Sequence, residues 1–135
     1  MHNLLYFTSA KIPNKKAHSI QILKMCDALS EYYKTFLICE KKNTKSLKKK
    51  FNLSNSFLIK NFYVINLPII NIISKLICII KFKMSKNDIL YTRDVHFAFI
   101  GYFFFKKIFL ELHFPYISKK TLSYYLIFFL IKKNK

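Results

Sequence analysis

Glycine is almost missing from this chain, where Gly101 is the only one. Without glycines, neither a GxGxxG turn nor a phosphate-cradling P-loop can form, because both bring bare backbone up to a pyrophosphate. The chain carries no nucleotide-binding fingerprint. Tryptophan is absent, arginine occurs once, as Arg93, and there are only 6 acidic residues. No Ser-His-Asp arrangement, metal-ligand cluster or acid/base carboxylate pair can be assembled from these at a workable spacing, which argues against a self-contained hydrolase. Cysteines are few: Cys26, Cys39 and Cys78 lie far apart, form no CxxC pair and have no histidine at ligand spacing. They read as reduced structural thiols, with no metal expected.

Long uninterrupted apolar runs are lacking as well. Lys75 breaks the run 67–80, Lys106 and Lys107 stop the run 97–105, and Lys132 stops the run 122–131. None reaches the roughly 18 to 20 residues that a spanning helix needs. Residues 1–6 hold no basic segment leading into an apolar one, so no secretory signal is read, and a location in the cytoplasm or peripheral on the inner face of the membrane is expected.

What is abundant is lysine, with isoleucine, asparagine, phenylalanine, tyrosine and leucine. The 24 basic and 6 acidic side chains leave a net charge of +18. Drift of a coding sequence toward A and T accounts for this bias. A functional reading stands beside it: a basic surface suits nucleic acid or an anionic leaflet, where each nearby lysine is worth roughly 1 kcal/mol. The aromatics fall inside apolar runs such as Phe103-Phe104-Phe105 and are not interleaved with arginine. Core packing explains them better than base stacking, so no specific nucleic-acid site is expected. At 135 residues the chain suits one domain.

Along the chain, apolar runs alternate with amphipathic stretches. Residues 4–9 form a continuous apolar run closing in Thr8 and Ser9, as in a strand buried on both faces. Residues 10–18 read as a loop handing over to Ser19, a plain N-cap for a helix from Ile20, whose Ile22, Cys26, Leu29 and Tyr33 share one face. Residues 35–39 are predicted as a second strand, 62–65 as a third ended by Pro68, and 69–83 as a helix apolar around most of its circumference and therefore well buried. Residues 89–92 make a fourth strand, 95–106 a very apolar helix, 108–112 a fifth strand and 121–133 a last helix. This alternation implies an α/β domain: an open, mostly parallel sheet with helices on both faces. Such sheets bind ligands beyond the carboxyl ends of their strands. That rule selects residues 9–18, 93–96 and 111–116.

The centre of this pattern is the stretch 88–96, an apolar strand ending abruptly in Arg93 and Asp94. Arg93 either clamps a carboxylate or phosphate of a ligand or pairs with Asp94 or Glu111 inside the fold. Glu111 and His113 stand two apart at a strand end and so share a face. A carboxylate there orients an imidazole, and the imidazole can donate to a sugar hydroxyl or steady developing charge; the plain alternative is a structural histidine. His96 and His18 carry weaker signals. The start of the first helix, at Ser19, also offers N–H groups to an anion.

Taken together, Leu5-Tyr6-Phe7-Thr8-Ser9, the segment from Lys16 through His18-Ser19-Ile20-Gln21 to Leu29, and Leu90-Tyr91-Thr92-Arg93 with Leu110-Glu111-Leu112-His113 resemble a known family. They look like the N-terminal half of a GT-B glycosyltransferase of the group-1/family-4 kind, and the similarity covers nearly the whole chain. The resemblance implies a Rossmann-like acceptor-side domain, residues 1–135, facing a C-terminal domain that binds the nucleotide-sugar. Transfer to a glycan or lipid-linked acceptor then occurs in the cleft between them, usually with retention and without metal. By the same resemblance, His113 lies near the transferred sugar as the catalytic candidate, Arg93 and Glu111 shape the cleft floor, and Ser9, His18 and Ser19 contact acceptor or donor phosphates.

The first loop lacks the glycines many relatives have, and the sequence stops after Lys135 without the donor-binding half. A truncated or split enzyme, incomplete at its last strand and inactive alone, is therefore expected, with the donor domain separately encoded and polysaccharide or glycolipid assembly as its setting. The competing expectations are a basic module for anionic membrane or nucleic acid, and a remnant without function.

Overall fold

The computed structural model describes residues 3–12, 17–41, 51–54, 57–62, 68–82, 85–112 and 125. Their elements run β1 (Asn3–Ile12), α1 (Ala17–Leu29), β2 (Lys34–Lys41), β3 (Leu58–Asn61), α2 (Pro68–Lys81), β4 (Ile89–Thr92), α3 (Val95–Gly101) and β5 (Lys107–Leu110). The strands form one five-stranded sheet in the order β3-β2-β1-β4-β5. Every pairing is parallel. This is an open Rossmann-like α/β sheet, and the chain reverses its direction of winding between β1 and β4.

The central strand explains why both faces are covered. Leu4, Leu5, Tyr6 and Phe7 are all buried, and in a strand they alternate between faces. Leu4 and Tyr6 pack with Ile22, Leu23 and Cys26 of α1. Leu5 and Phe7 pack with Cys78 and Ile79 of α2 and Phe97 and Ile100 of α3. The Phe7 ring lies flat on that of Phe97, centroids 3.7 Å apart. Helices thus cover both faces, as the alternation of apolar runs implies. The three cysteines are free and buried.

Several boundaries differ from those read in the sequence. β1 runs on through Ile12, which is fully buried, after an irregular register between Phe7 and Lys11; residues 10–12 are therefore strand and not loop. α1 begins at Ala17, so Ser19 is not its N-cap. Ser19 is fully buried because positions 19, 22, 23 and 26 form one helical face. Asp27 of α1 is buried and accepts hydrogen bonds from the N–H and hydroxyl of Ser54 at 3.1 Å. β3 occupies 58–61 instead of 62–65; residues 63–65 lie outside the described residues. Pro68 opens α2, where its missing N–H costs nothing.

The expected helix 95–106 stops at Gly101 and turns through residues 102–104, and β5 starts and ends earlier than expected. The expected helix 121–133 lies outside the described residues except for Tyr125.

The largest correction concerns α2, which is not well buried. Ile72, Ile77 and Ile80 are exposed, while Lys75 is buried. The Lys75 Nζ donates to Asp94 Oδ2 at 2.8 Å, with side chains only 5% and 13% exposed. The other Asp94 oxygen accepts from the Phe97 N–H and caps α3. One carboxylate thus starts α3 and sets the rotation of α2, turning the isoleucines outward. Among the described residues no helix is long and apolar enough to cross a membrane.

Candidate functional site

The parallel register places the candidate residues. Thr92 pairs with Leu110, and the Glu111 N–H donates to the Thr92 carbonyl. Arg93 and Glu111 therefore follow their strands out at the same level of the carboxyl edge. There the Arg93 Nε donates to Glu111 Oε2 at 2.8 Å and an Nη donates to Oε1 at 2.7 Å. Arg93 is paired within the fold by Glu111, while Asp94 is engaged with Lys75.

The same face of the sheet carries a row of aromatic rings. Tyr6 and Tyr91 are paired across β1 and β4 and stack with centroids 4.9 Å apart; Tyr91 in turn stacks on Phe109 at 6.3 Å. The Tyr91 hydroxyl donates to Glu111 Oε2 at 3.2 Å. Glu111 thus accepts from both Arg93 and Tyr91. The hydroxyl of Tyr6, fully buried, has no hydrogen-bond partner among the described residues. On the opposite face, Thr92 donates its hydroxyl to the Phe7 carbonyl at 3.1 Å and accepts from the Asp94 N–H at 3.0 Å. That bond bends the chain out of β4 and starts the turn into α3.

Electrostatically the cluster holds its protons. Burial pushes the Tyr6 hydroxyl well above its ordinary value; the nearby Arg93 charge opposes this and Glu111 reinforces it. Tyr91 is raised by burial and then by Glu111. For Arg93, burial pulls downward, but the Glu111 hydrogen bonds and the neighbouring tyrosines raise it on balance. The result is an ion pair beside two phenols that hold their protons. The Arg93–Glu111 pair thus leaves no net cation at this edge.

The remaining sequence candidates are dispersed. Ser9 is exposed in the irregular stretch of β1 between Phe7 and Lys11, and His18 is exposed in the first turn of α1; neither is hydrogen-bonded to Arg93. Ser19 is buried within α1 and presents no surface. His113 lies outside the described residues. Among the described residues no group of histidine, cysteine and carboxylate side chains could hold a metal.

Tyr6 and Tyr91 were not singled out in the sequence because they sit in apolar runs that read as core. The signal was nevertheless present: Tyr91 stands two residues before Arg93, and on a strand that puts both on one face. Compared with family models, with curated proteins and with solved structures, the chain matches none.

Proposed function

We propose that this chain is the acceptor-side domain of a GT-B glycosyltransferase of the group-1/family-4 kind, receiving a glycan or lipid-linked acceptor for a sugar carried by a nucleotide. One observation carries the reading. Of the segments that hold the resemblance, residues 5–9, 16–29, 90–93 and 110–113, three start in β1, β4 and β5, which run side by side toward one sheet edge. That edge lies where the winding reverses, the place where open α/β sheets receive ligands.

In this reading Arg93, held flat by Glu111, meets acceptor hydroxyls. Ser9 and His18 line the rim, and His113 stands next to the transferred sugar. Two of the guanidinium N–H groups are engaged by Glu111, and the rest remain for the acceptor. With Gly101 as its only glycine, this chain supplies no pyrophosphate cradle, so the nucleotide-sugar is assigned to a second domain. Positioning and charge stabilisation across the cleft then require both halves.

The test is an NMR titration of the purified chain with alkyl glycosides and short-chain polyprenyl-phosphate sugars on one side and UDP- and GDP-sugars on the other. Acceptor-type ligands are expected to shift the amides of Ser9, Arg93 and Glu111, and the nucleotide-sugars to leave them in place. Tight nucleotide-sugar binding, or steady sugar transfer by this chain alone, would overturn the assignment.

A further inference from the structure

Where α2 passes β3 the two elements do not close on each other. In α2, Ser74, Ile77, Cys78 and Lys81 follow at spacings of three, one and three and so share one helical face. Across from them β3 ends at Asn61, and Phe62 stays tied to the sheet through its N–H, which donates to the Cys39 carbonyl at 2.9 Å. These residues enclose a cleft of about 190 Å³.

The floor of the cleft is apolar and fixed. Phe62 is buried with its ring edge-on to that of Phe7 at 5.1 Å, and Phe7 is itself stacked on Phe97. Cys78 is buried in the same cluster, and the partly buried Phe82 packs against it. The border is polar, with Asn61, Ser74 and Lys81. Lys81, the last residue of α2, is exposed and has no carboxylate partner among the described residues. Its charge reaches the floor: burial pushes the Cys78 thiol up to about 12, and Lys81 opposes that rise.

We propose that this cleft binds a small aromatic monocarboxylate, with the ring against Phe62, Cys78 and Phe82 and the carboxylate on the Lys81 ammonium. Size selects the body of the ligand. A cavity of about 150 Å³ holds benzene, whereas pockets for larger ligands start at about 300 Å³. The cleft therefore takes one ring and is too small for a nucleotide-sugar. Charge selects the head group. A helix C-terminus carries about half a negative charge, which one ammonium outweighs by about half a unit, so a monoanion is favoured over a phosphate dianion. Because Phe62 is already held in the core, little side-chain freedom is lost on binding. The inference does not rest on the transferase reading, because β2 and β1 stand between β3 and β4, whose end carries Arg93.

An NMR titration of the full isotope-labelled chain with sodium benzoate tests it, with acetate as the head group without a ring and benzyl alcohol as the ring without a charge. Benzoate is expected to shift the amides of Asn61, Ile77, Cys78 and Lys81 and to leave those of Arg93 and Glu111 in place. Its Kd should be about 1 mM or tighter, the range open to a ligand of this size. Acetate should bind at least about tenfold more weakly, and benzyl alcohol about fivefold more weakly. Lys81→Met, at an exposed position, is expected to bring benzoate down about fivefold, to the level of benzyl alcohol, with little change in melting temperature. Lys24→Met removes the same charge from α1, on the opposite face of the sheet, and should weaken benzoate by less than about twofold.

An equal loss in Lys24→Met, or acetate binding as tight as that of benzoate, would mean adsorption of anions by net charge and overturn the proposal. So would cleft amides that stay in place at about 20 mM benzoate, well above the expected Kd. Self-association of the parent chain that Ile77→Ser dissolves, with no benzoate shift at the cleft, would give the cleft to a second copy and overturn it as well.

Discussion

Arg93 and Glu111 close a two-point ion pair one residue beyond the last paired positions of β4 and β5, with N–O distances of 2.8 and 2.7 Å. Because they leave neighbouring parallel strands at the same level, the pair holds the carboxyl ends of β4 and β5 together and fixes the plane of the guanidinium. The only arginine of the chain is thus both a structural clasp and the best-oriented donor at the edge where the sheet changes direction.

Removing either partner leaves the other partly buried and uncompensated. Arg93→Met or Glu111→Gln is expected to lower unfolding free energy by about 2–4 kcal/mol. The double variant should lose less than the sum, with a coupling of about 1–3 kcal/mol, read by urea denaturation of all four proteins. Additive losses would show that the pair is not coupled.

Asp94 does two jobs, capping α3 and neutralising Lys75. Asp94→Asn keeps an acceptor for the cap and loses the charge; Asp94→Ala loses both and leaves Lys75 buried without its partner. The alanine variant should therefore be the less stable by about 1 kcal/mol, the usual worth of an N-cap. Lys75→Met should restore part of the stability of the Asp94→Ala protein, since it removes the stranded ammonium. Thermal melts of the three proteins decide this.

Gly101, at the end of α3, is needed for space. A Cβ there would run into Leu90 Cδ2 and touch Phe105 Cδ2 at 3.5 Å. Alanine is the better helix former by about 1 kcal/mol, but crowding a packed core costs about 1–3 kcal/mol. Gly101→Ala is expected to be destabilised, by up to about 2 kcal/mol in urea. A more stable variant would show that Leu90 gives way freely.

Three buried groups and the half-buried Tyr91 predict alkaline instability. Burial raises Cys26 and Cys78 above their ordinary 9.0, with Cys78 pushed up to about 12, and raises Tyr6 and Tyr91 above 10.0. In each case the folded chain keeps a proton that the unfolded chain releases first. Their contribution is therefore complete below the unfolded values and is lost as pH rises past them. Melting temperature should fall from about pH 9, more steeply beyond about pH 10.

Tyr6→Phe should blunt the second part of that alkaline fall. At neutral pH it should change stability by less than about 1 kcal/mol, because the hydroxyl it removes has no partner among the described residues. An unchanged alkaline slope in Tyr6→Phe would remove Tyr6 from the account.

Much of the fold was legible in the chain. Residues 4–7, 36–39 and 89–92 read as buried strands because fully covered parallel strands are apolar on both faces, and they are strands. The boundaries that failed lie at residues 10–12, 58–61 and 102–107; in the last, the aromatic block 102–105 prolongs the apolar run of α3 and hides its end. The site was only partly legible. Spacing alone offered Asp94 and Glu111 equally to Arg93, and only the β4–β5 register separates them. Tyr6 and Tyr91 were hidden by the same apolar runs that revealed their strands.

By itself, then, the sequence determined that this is a parallel α/β domain without a phosphate loop, because apolar periodicity and the scarcity of glycine act locally. Tertiary structure alone decided the strand order, the partner of Arg93 and the outward face of α2. In the sequence Ser74, Lys75 and Lys81 gather on one side of α2 and the isoleucines on the other, so periodicity alone would bury the isoleucines. The opposite is decided by one charged contact between residues 19 positions apart, where Asp94 draws Lys75 inward and leaves the isoleucines outside.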